Sequence, residues 1–161
     1  MRGTGFLPAL FLLVIPGCHS PNPVPSVSPE AVRKEVRLEL EQFNQLSRDS
    51  DLKGVLARFD DQADIVLVGS DKGEVFKGRA EMEGWLGKLY KFSGFSWKMD
   101  RIEISNNGAT AWVFVEGMAV VTKRDTGALR FTAPYRFSAV LVKRGESWKW
   151  RLFHGSAPGK E

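Results

Sequence analysis

The C-terminal segment SWKWRLFHGSAP holds the residues best suited to chemistry, a histidine and a serine two positions apart. Alternate residues of a strand share a face, so His154 and Ser156 are expected beside Trp148 and Trp150. Side chains two positions apart on a strand are about 6.5–7 Å from each other, which is too far for direct proton transfer. We therefore expect no serine nucleophile. His154 remains an interior hydrogen-bonding group, a ligand contact, or an acid or base.

A second polar set lies on the two preceding strands. Arg136 and Ser138 share a strand face, and Glu116 is the carboxylate that we expect to pair with Arg136. A buried arginine needs a carboxylate or an anionic ligand. The set is therefore either a structural network with His154 or, if Arg136 is unpaired, a site for an acidic small molecule.

Composition excludes several classes of site and partner. The acids of FDDQAD (Asp60, Asp61 and Asp64) lack metal-ligand spacing and are typical of a solvated helix end and turn, so no metal and no cofactor are expected. The net charge is +4, but basic residues are scattered among acids, so no nucleic-acid partner is expected. The single cysteine excludes an internal disulfide.

The N-terminus is typical of an exported protein. In residues 1–17, Arg2 precedes the apolar run FLPALFLLVI, which fits a signal peptide and is too short to span a bilayer. The run ends in IPGC, which resembles the lipobox of bacterial lipoproteins and implies acylation of Cys18. Residues 18–29 then form the acylated cysteine and a proline-rich tether. We expect a lipid anchor on the periplasmic face of the bacterial cell envelope. A secreted protein with an incidental cysteine is the alternative.

The remaining chain, residues 30–158, reads as one α+β domain. Ser28 and Pro29 start a first helix that runs to about Ser47, Ser50 or Asp51 caps a short second helix, and a third covers Arg79 to about Tyr90. ADIVLVGS and VFKG form two short strands, and four long strands follow Phe95, separated by NNG, RDTG and RGES turns. Strands of such length must bend, and we predict a bulge near Gly117 and another near Pro134. Three helices are expected to pack on the concave side of a strongly curved antiparallel sheet.

Two segments carry a resemblance to a known family. ARFDDQADIVLVGSDKGEVFKGRAEMEGWL and YRFSAVLVKRGESWKWRLFHGSAP resemble SnoaL-like domains of the nuclear transport factor 2-like superfamily. The resemblance implies a deep cone-shaped cavity, mostly apolar, with a few polar groups on its wall. The residues expected to contact a ligand there are His154, Ser156, Arg136, Ser138, Glu116, Trp112, Phe114 and Trp85.

Ketosteroid isomerase has the same cone. An ungapped pairing over ARFDDQAD puts Leu67 at the position of its general base and Phe43 at that of its oxyanion-hole tyrosine. Leucine cannot accept a proton and phenylalanine cannot donate a hydrogen bond, so isomerase activity is not expected.

Two functions remain open. The first is a membrane-anchored domain that binds a small, partly apolar molecule or supports an assembly, without catalysis. The alternative is an isomerase, dehydratase or hydrolase that uses His154. An open cavity would favour binding or catalysis, and a filled one would favour assembly. A homodimer is expected, because such domains often pair through the outer sheet face, where we predict an apolar patch of Val113, Val115, Val121, Val140 and Val142.

Overall fold

The computed structural model describes residues 28–62 and 64–158. The predicted signal peptide, the lipid-attachment residue Cys18 and most of the predicted tether lie outside these residues. The elements in chain order are α1 (Pro29–Arg48), α2 (Leu52–Arg58), β1 (Val66–Val68), β2 (Val75–Lys77), α3 (Gly78–Phe92), β3 (Ser93–Asn106), β4 (Thr110–Lys123), β5 (Leu129–Arg144) and β6 (Ser147–Ser156).

The strands form one curved, unclosed sheet in the order β2-β1-β6-β5-β4-β3. β1 and β6 pair in parallel, and the other neighbouring strands are antiparallel. The helices pack on one face of this sheet around a shared apolar core, which confirms the predicted α+β class.

The first helix begins where the capping signal predicts. The hydroxyl of Ser28 accepts a hydrogen bond from the backbone N–H of Ala31 at 3.1 Å, and Pro29 occupies the first turn. Apolar residues at helical spacing bury one face of α1 against the sheet: Val32, Val36, Leu40 and Phe43.

Three bulges bend the long strands. In β3, Asp100 is the extra residue, directly opposite Gly117 of β4. A methyl group on Gly117 would lie 2.0 Å from the carbonyl oxygen of Lys98, so this close approach requires glycine. The bulge predicted near Gly117 therefore occurs, on the partner strand. The bulge predicted near Pro134 is not found at that residue, because Pro134 stands in regular register with Met118, and β5 bulges at Arg130 instead. On its other side Pro134 lies beyond Arg136, where the pairing with β6 ends, so its missing N–H costs no hydrogen bond there.

The third bulge, at Arg151 of β6, reverses the face on which the end of the chain points. Trp150 pairs with Leu141, whereas Leu152 pairs with the adjacent residue Val140. Both tryptophans of SWKW are therefore buried under the helices, but two positions later the alternation is inverted. Phe153 and Gly155 face inward in place of His154 and Ser156.

Two glutamates of α1 bind the two tryptophans of β6. Glu35 accepts a hydrogen bond from the indole N–H of Trp148 at 2.8 Å, and Glu39 accepts one from Trp150 at 3.0 Å. The spacing of four residues on the helix matches the spacing of two on the strand, because both advance about 6–7 Å. These contacts fix α1 along the sheet.

Asp60 is not the solvated residue expected from the FDDQAD stretch. It is 3% exposed, and its carboxylate accepts hydrogen bonds from Arg144 at 2.7 Å and from Arg151 at 3.1 Å. The hydrogen bond from Arg144 is the main cause that holds the pKa of Asp60 below its ordinary value. Asp61 and Asp64 are exposed and form ion pairs with Arg79 and Arg151. The stretch is therefore an ion-pair network that joins the end of α2 to the β5–β6 hairpin.

Within the described ranges, no helix is long and apolar enough to cross a membrane. The same ranges contain no group of three or more side chains that could together hold a metal ion.

Candidate functional site

An open cavity of about 380 Å³ lies between the concave face of the sheet and the helices. Its wall includes eight aromatic residues, contributed by α1, α3, β3, β5 and β6. They are Phe43, Trp85, Tyr90, Phe95, Trp97, Phe131, Tyr135 and Phe153. The cavity is therefore not filled by its own aromatic side chains, and it has the apolar character expected of a small-molecule site.

Two tyrosine hydroxyls provide polar groups on the wall, and they are the only tyrosines of the chain. The hydroxyl of Tyr90 is 2.8 Å from that of Ser47, and burial raises the pKa of Tyr90 to about 12. Burial, followed by the carboxylates of Glu74 and Asp71, raises the pKa of Tyr135 to about 12. Both phenols stay protonated near neutral pH and can donate a hydrogen bond to a ligand.

A glycine makes room for one of these phenols. A methyl group on Gly155 would lie 1.8 Å from the hydroxyl oxygen of Tyr135. Tyr135 therefore rests on the backbone of β6, and its position depends on the bulge that turns Gly155 inward.

The indole N–H of Trp97 is buried and has no hydrogen-bond partner among residues 28–62 and 64–158. The backbone of Trp97 is held by the side-chain amide of Asn44, with both hydrogen bonds at 2.8 Å. Trp97 therefore joins the bent strand β3 to α1 through its backbone, while its ring forms part of the cavity wall.

The part of the cavity wall that the structure describes has two charged residues, and both are acidic. Asp71 and Glu74 belong to the turn between β1 and β2, and Asp71 is exposed where the cavity meets solvent. The backbone N–H of Asp71 donates to the Glu74 carboxylate at 3.1 Å, which holds the two acids side by side. Sequence reasoning did not single them out, because SDKGE has the composition of an ordinary turn.

The residues predicted to contact a ligand come together, but on the outer face of the sheet. Phe114, Ser138 and His154 stand in register across β4, β5 and β6, and Glu116, Arg136 and Ser156 form the next row. Trp112, at 48% exposure, lies on the same face. The prediction that these seven residues line the cavity is wrong. The eighth, Trp85, does lie on the cavity wall, where its ring stacks on Phe76 with centroids 4.8 Å apart.

The reason for the error differs between strands. For His154 and Ser156 it is the bulge at Arg151, which a uniform alternation counted from Trp148 does not include. For β4 and β5, the inward positions carry Val113, Val115, Phe137 and Ala139. The outward positions carry the polar set, so Glu116 and Arg136 are cross-strand neighbours in solvent.

Phe43 and Leu67 both line the cavity and are 5% and 4% exposed. These are the two positions where ketosteroid isomerase was expected to carry its oxyanion-hole tyrosine and general base. Neither side chain offers a proton donor or acceptor at this point of the wall.

Comparison with known proteins agrees with this fold. The family model of the SnoaL-like domain matches residues 36–160. A candidate dehydratase of the nuclear transport factor 2-like family from Streptomyces avermitilis superposes with a TM-score of 0.72 at 17% identity, covering 83% of this chain and 100% of that one. None of the curated proteins is significantly similar to this chain.

Two further solved structures have the same fold. A nuclear transport factor 2-like superfamily protein from Salmonella enterica gives a TM-score of 0.70 at 19% identity, over 83% of this chain and 95% of that one. A candidate scytalone dehydratase from Novosphingobium aromaticivorans gives 0.68 at 13% identity, over 81% and 86%.

Proposed function

The chain belongs to the SnoaL-like family, and on this premise we propose that it binds a small, largely apolar molecule in its cone cavity. The observation that carries the proposal is the open volume of about 380 Å³ inside an aromatic wall. A wall that served only as a core would be expected to close to native packing density, because voids of this size cost stability. The tyrosine hydroxyls supply the few oriented polar contacts that such sites use.

Catalysis by His154 inside this cavity has no support, because the imidazole lies on the opposite face of the sheet. Several structural neighbours carry names of enzymes, including dehydratases. The polar side chains that an enzyme could use in this cavity include the hydroxyls of Tyr90 and Tyr135 and the carboxylates of Asp71 and Glu74. Binding of a small molecule requires only the cavity, and it is therefore the function that the geometry supports best.

The test uses a protein of residues 28–161, which contains every described helix and strand and the whole core. After cooperative unfolding has shown that it is folded, native mass spectrometry is run on protein purified gently from its host. Titration calorimetry with 4-phenylbutanol then measures binding of a defined apolar probe. We expect a co-purified small molecule or saturable binding of the alcohol.

Two variants locate the binding. Ala133→Trp places an indole into the cavity and is expected to abolish binding, whereas His154→Ala changes the outer face and is expected to leave it intact. Absence of any co-purified molecule together with absence of alcohol binding would overturn the proposal. Loss of binding in the His154 variant alone would place the binding site on the outer face of the sheet and would refute binding in the cavity.

We propose in addition that the domain forms a homodimer through the outer face of β4–β6. The patch predicted from the valines needs correction, since Val113, Val115 and Val121 are buried in the core. The apolar row of this face is instead Trp112, Val140 and Leu152, which stand in register across three strands. A two-fold axis can set Glu116 of one copy against Arg136 of the other, which is the self-complementarity that an isologous interface needs.

Analytical ultracentrifugation tests the dimer. Trp112→Glu puts a charge into the apolar row and is expected to give a monomer of unchanged fold. A wild-type protein that sediments as a monomer at 100 μM concentration would refute the pairing.

We also propose that the domain is held at the bacterial cell envelope by acylated Cys18. The support is the apolar run that ends in IPGC, followed by a proline-rich segment. Metabolic labelling with a palmitate analogue is expected to mark the wild-type chain but not Cys18→Ser. Label on both chains, or on neither, would contradict acylation at this residue.

A further inference from the structure

The described residues of the cavity wall carry charge of one sign, which is negative. Asp71 and Glu74 are the charged residues of the described wall, and neither forms an ion pair within residues 28–62 and 64–158. Arg136, which suggested an acidic ligand, lies on the outer face of the sheet. Among residues 28–62 and 64–158, the cavity wall thus carries two carboxylates without an ion-pair partner and no basic side chain.

The turn between β1 and β2 fixes one of these carboxylates in place. The backbone N–H of Gly69 donates to the backbone carbonyl of Glu74 at 2.8 Å. The backbone N–H of Asp71 donates to the side-chain carboxylate of Glu74 at 3.1 Å. A methyl group on Gly69 would lie 2.0 Å from the Glu74 carboxylate, so the side chain is folded against the turn backbone. An acid that is held in this way loses little side-chain entropy when a ligand binds.

The rest of the wall suits a cation as well as an apolar body. Eight aromatic side chains line the cavity, and aromatic rings attract ammonium groups through their negative faces. Asp71, Glu74 and Tyr135 line the same cavity, and after burial the two carboxylates are the next causes that raise the pKa of Tyr135. An anionic ligand would meet the negative potential of these carboxylates unfavourably.

We propose that the molecule bound in the cavity is an organic cation, an amine or quaternary ammonium on an apolar body. The charged end lies at the mouth beside Asp71 and Glu74, and the apolar body lies among the aromatic residues. This inference rests on the proposed binding function and adds the chemical class of the ligand.

Three probes of equal length separate charge from apolar binding. They are 4-phenylbutylamine, which is a cation at neutral pH, 4-phenylbutanol, which is neutral, and 4-phenylbutyrate, which is an anion. Titration calorimetry with the protein of residues 28–161 at low salt is expected to rank them amine, alcohol, carboxylate. Two partly solvated carboxylates are expected to favour the amine over the alcohol by about tenfold.

Variants assign the preference to the two acids. In the double variant Asp71→Asn and Glu74→Gln, the amine is expected to lose about tenfold in affinity while the alcohol changes less than twofold. The glutamine side chain keeps a carbonyl oxygen that can accept the hydrogen bond from the backbone N–H of residue 71, so the turn can persist. Glu83→Gln removes one negative charge from an exposed site of α3 outside the cavity wall and is expected to change neither affinity.

Each outcome decides a different statement. Equal affinity for amine and alcohol, or an amine preference that survives in the double variant, overturns the cation assignment and leaves the proposed binding function standing. Tighter binding of the carboxylate also overturns it. Absence of binding by all three probes overturns the cation assignment, and the co-purification experiment then decides the binding function separately.

Discussion

Replacing Glu39 by alanine tests the contact that joins the first helix to the last strand. Glu39 is 6% exposed, and Trp150, whose indole N–H donates to it at 3.0 Å, is 0% exposed. Its second oxygen forms an ion pair with Arg58 at 2.9 Å. Alanine removes both interactions at once, whereas Glu39→Gln keeps a carbonyl oxygen for the indole.

The magnitude follows from burial. An unsatisfied buried N–H costs about 1–3 kcal/mol, and loss of a buried charge partner costs more when the remaining charge cannot reach water. The Arg58 side chain is 31% exposed, so it can turn partly to solvent. We therefore expect Glu39→Ala to lower the free energy of unfolding by about 2–4 kcal/mol. Glu39→Gln is expected to cost about 1 kcal/mol or less, since the indole remains satisfied.

The pH dependence of stability gives an independent check. Burial raises the pKa of Glu39, so the folded state binds this proton more tightly than the unfolded chain does. The stability contributed by this group is complete below the pKa of an unfolded glutamate, about 4.3, and is lost as pH rises through the higher folded value. The glutamine variant should therefore lack this part of the decline in stability with rising pH.

Urea unfolding followed by tryptophan fluorescence and circular dichroism measures all of these quantities. Glu41→Ala, on the exposed side of the same helix, is the control and should change stability by less than about 0.5 kcal/mol. Equal losses for alanine and glutamine would refute the indole contact as the main term. A loss below about 0.5 kcal/mol for alanine would refute the linkage between helix and strand altogether.

Three further predictions follow from the site and the ion pairs. Gly155→Ala should displace the phenol of Tyr135 and reduce the affinity for 4-phenylbutanol at least about fivefold, as measured by isothermal titration calorimetry. Ser156→Ala, on the outer face of the sheet, is the control and should leave this affinity unchanged. Absorbance at 295 nm should show no tyrosinate at pH 10.5 in the folded protein, because burial raises the pKa of Tyr90 and of Tyr135 to about 12. The free energy of unfolding should fall as pH rises above about 10, the pKa of an unfolded tyrosine. Ionisation of either tyrosine at the pH of a free phenol would refute its burial. Asp60→Asn should be less stable than wild type at pH 7, because the lowered pKa of Asp60 means that its ionised form stabilises the folded state. The difference should shrink as pH falls below about 4, where the carboxylate becomes protonated. A difference in urea unfolding that does not change with pH would contradict this.

The sequence determined the elements and their order, because those signals are local. The cap at Ser28 and the apolar spacing of α1 occur where predicted, and the four long strands end at the predicted turns. The resemblance to SnoaL-like domains, carried by short segments, also agrees with the family match. Glu39 lies on the apolar face of α1 between Val36 and Phe43, but nothing local in the sequence indicates that its partner is Trp150.

Tertiary structure decided which residues at the end of β6 face the cavity. Alternation along a strand predicts a face only while the register is unbroken, and the bulge at Arg151 adds one residue that moves His154 outward and Gly155 inward. That bulge depends on how β6 pairs with β5 along a bent sheet, which no short window of sequence contains. Asp71 and Glu74 join the site for a related reason. Their turn follows β1, and β1 reaches the cavity only because it pairs in parallel with the last strand of the chain.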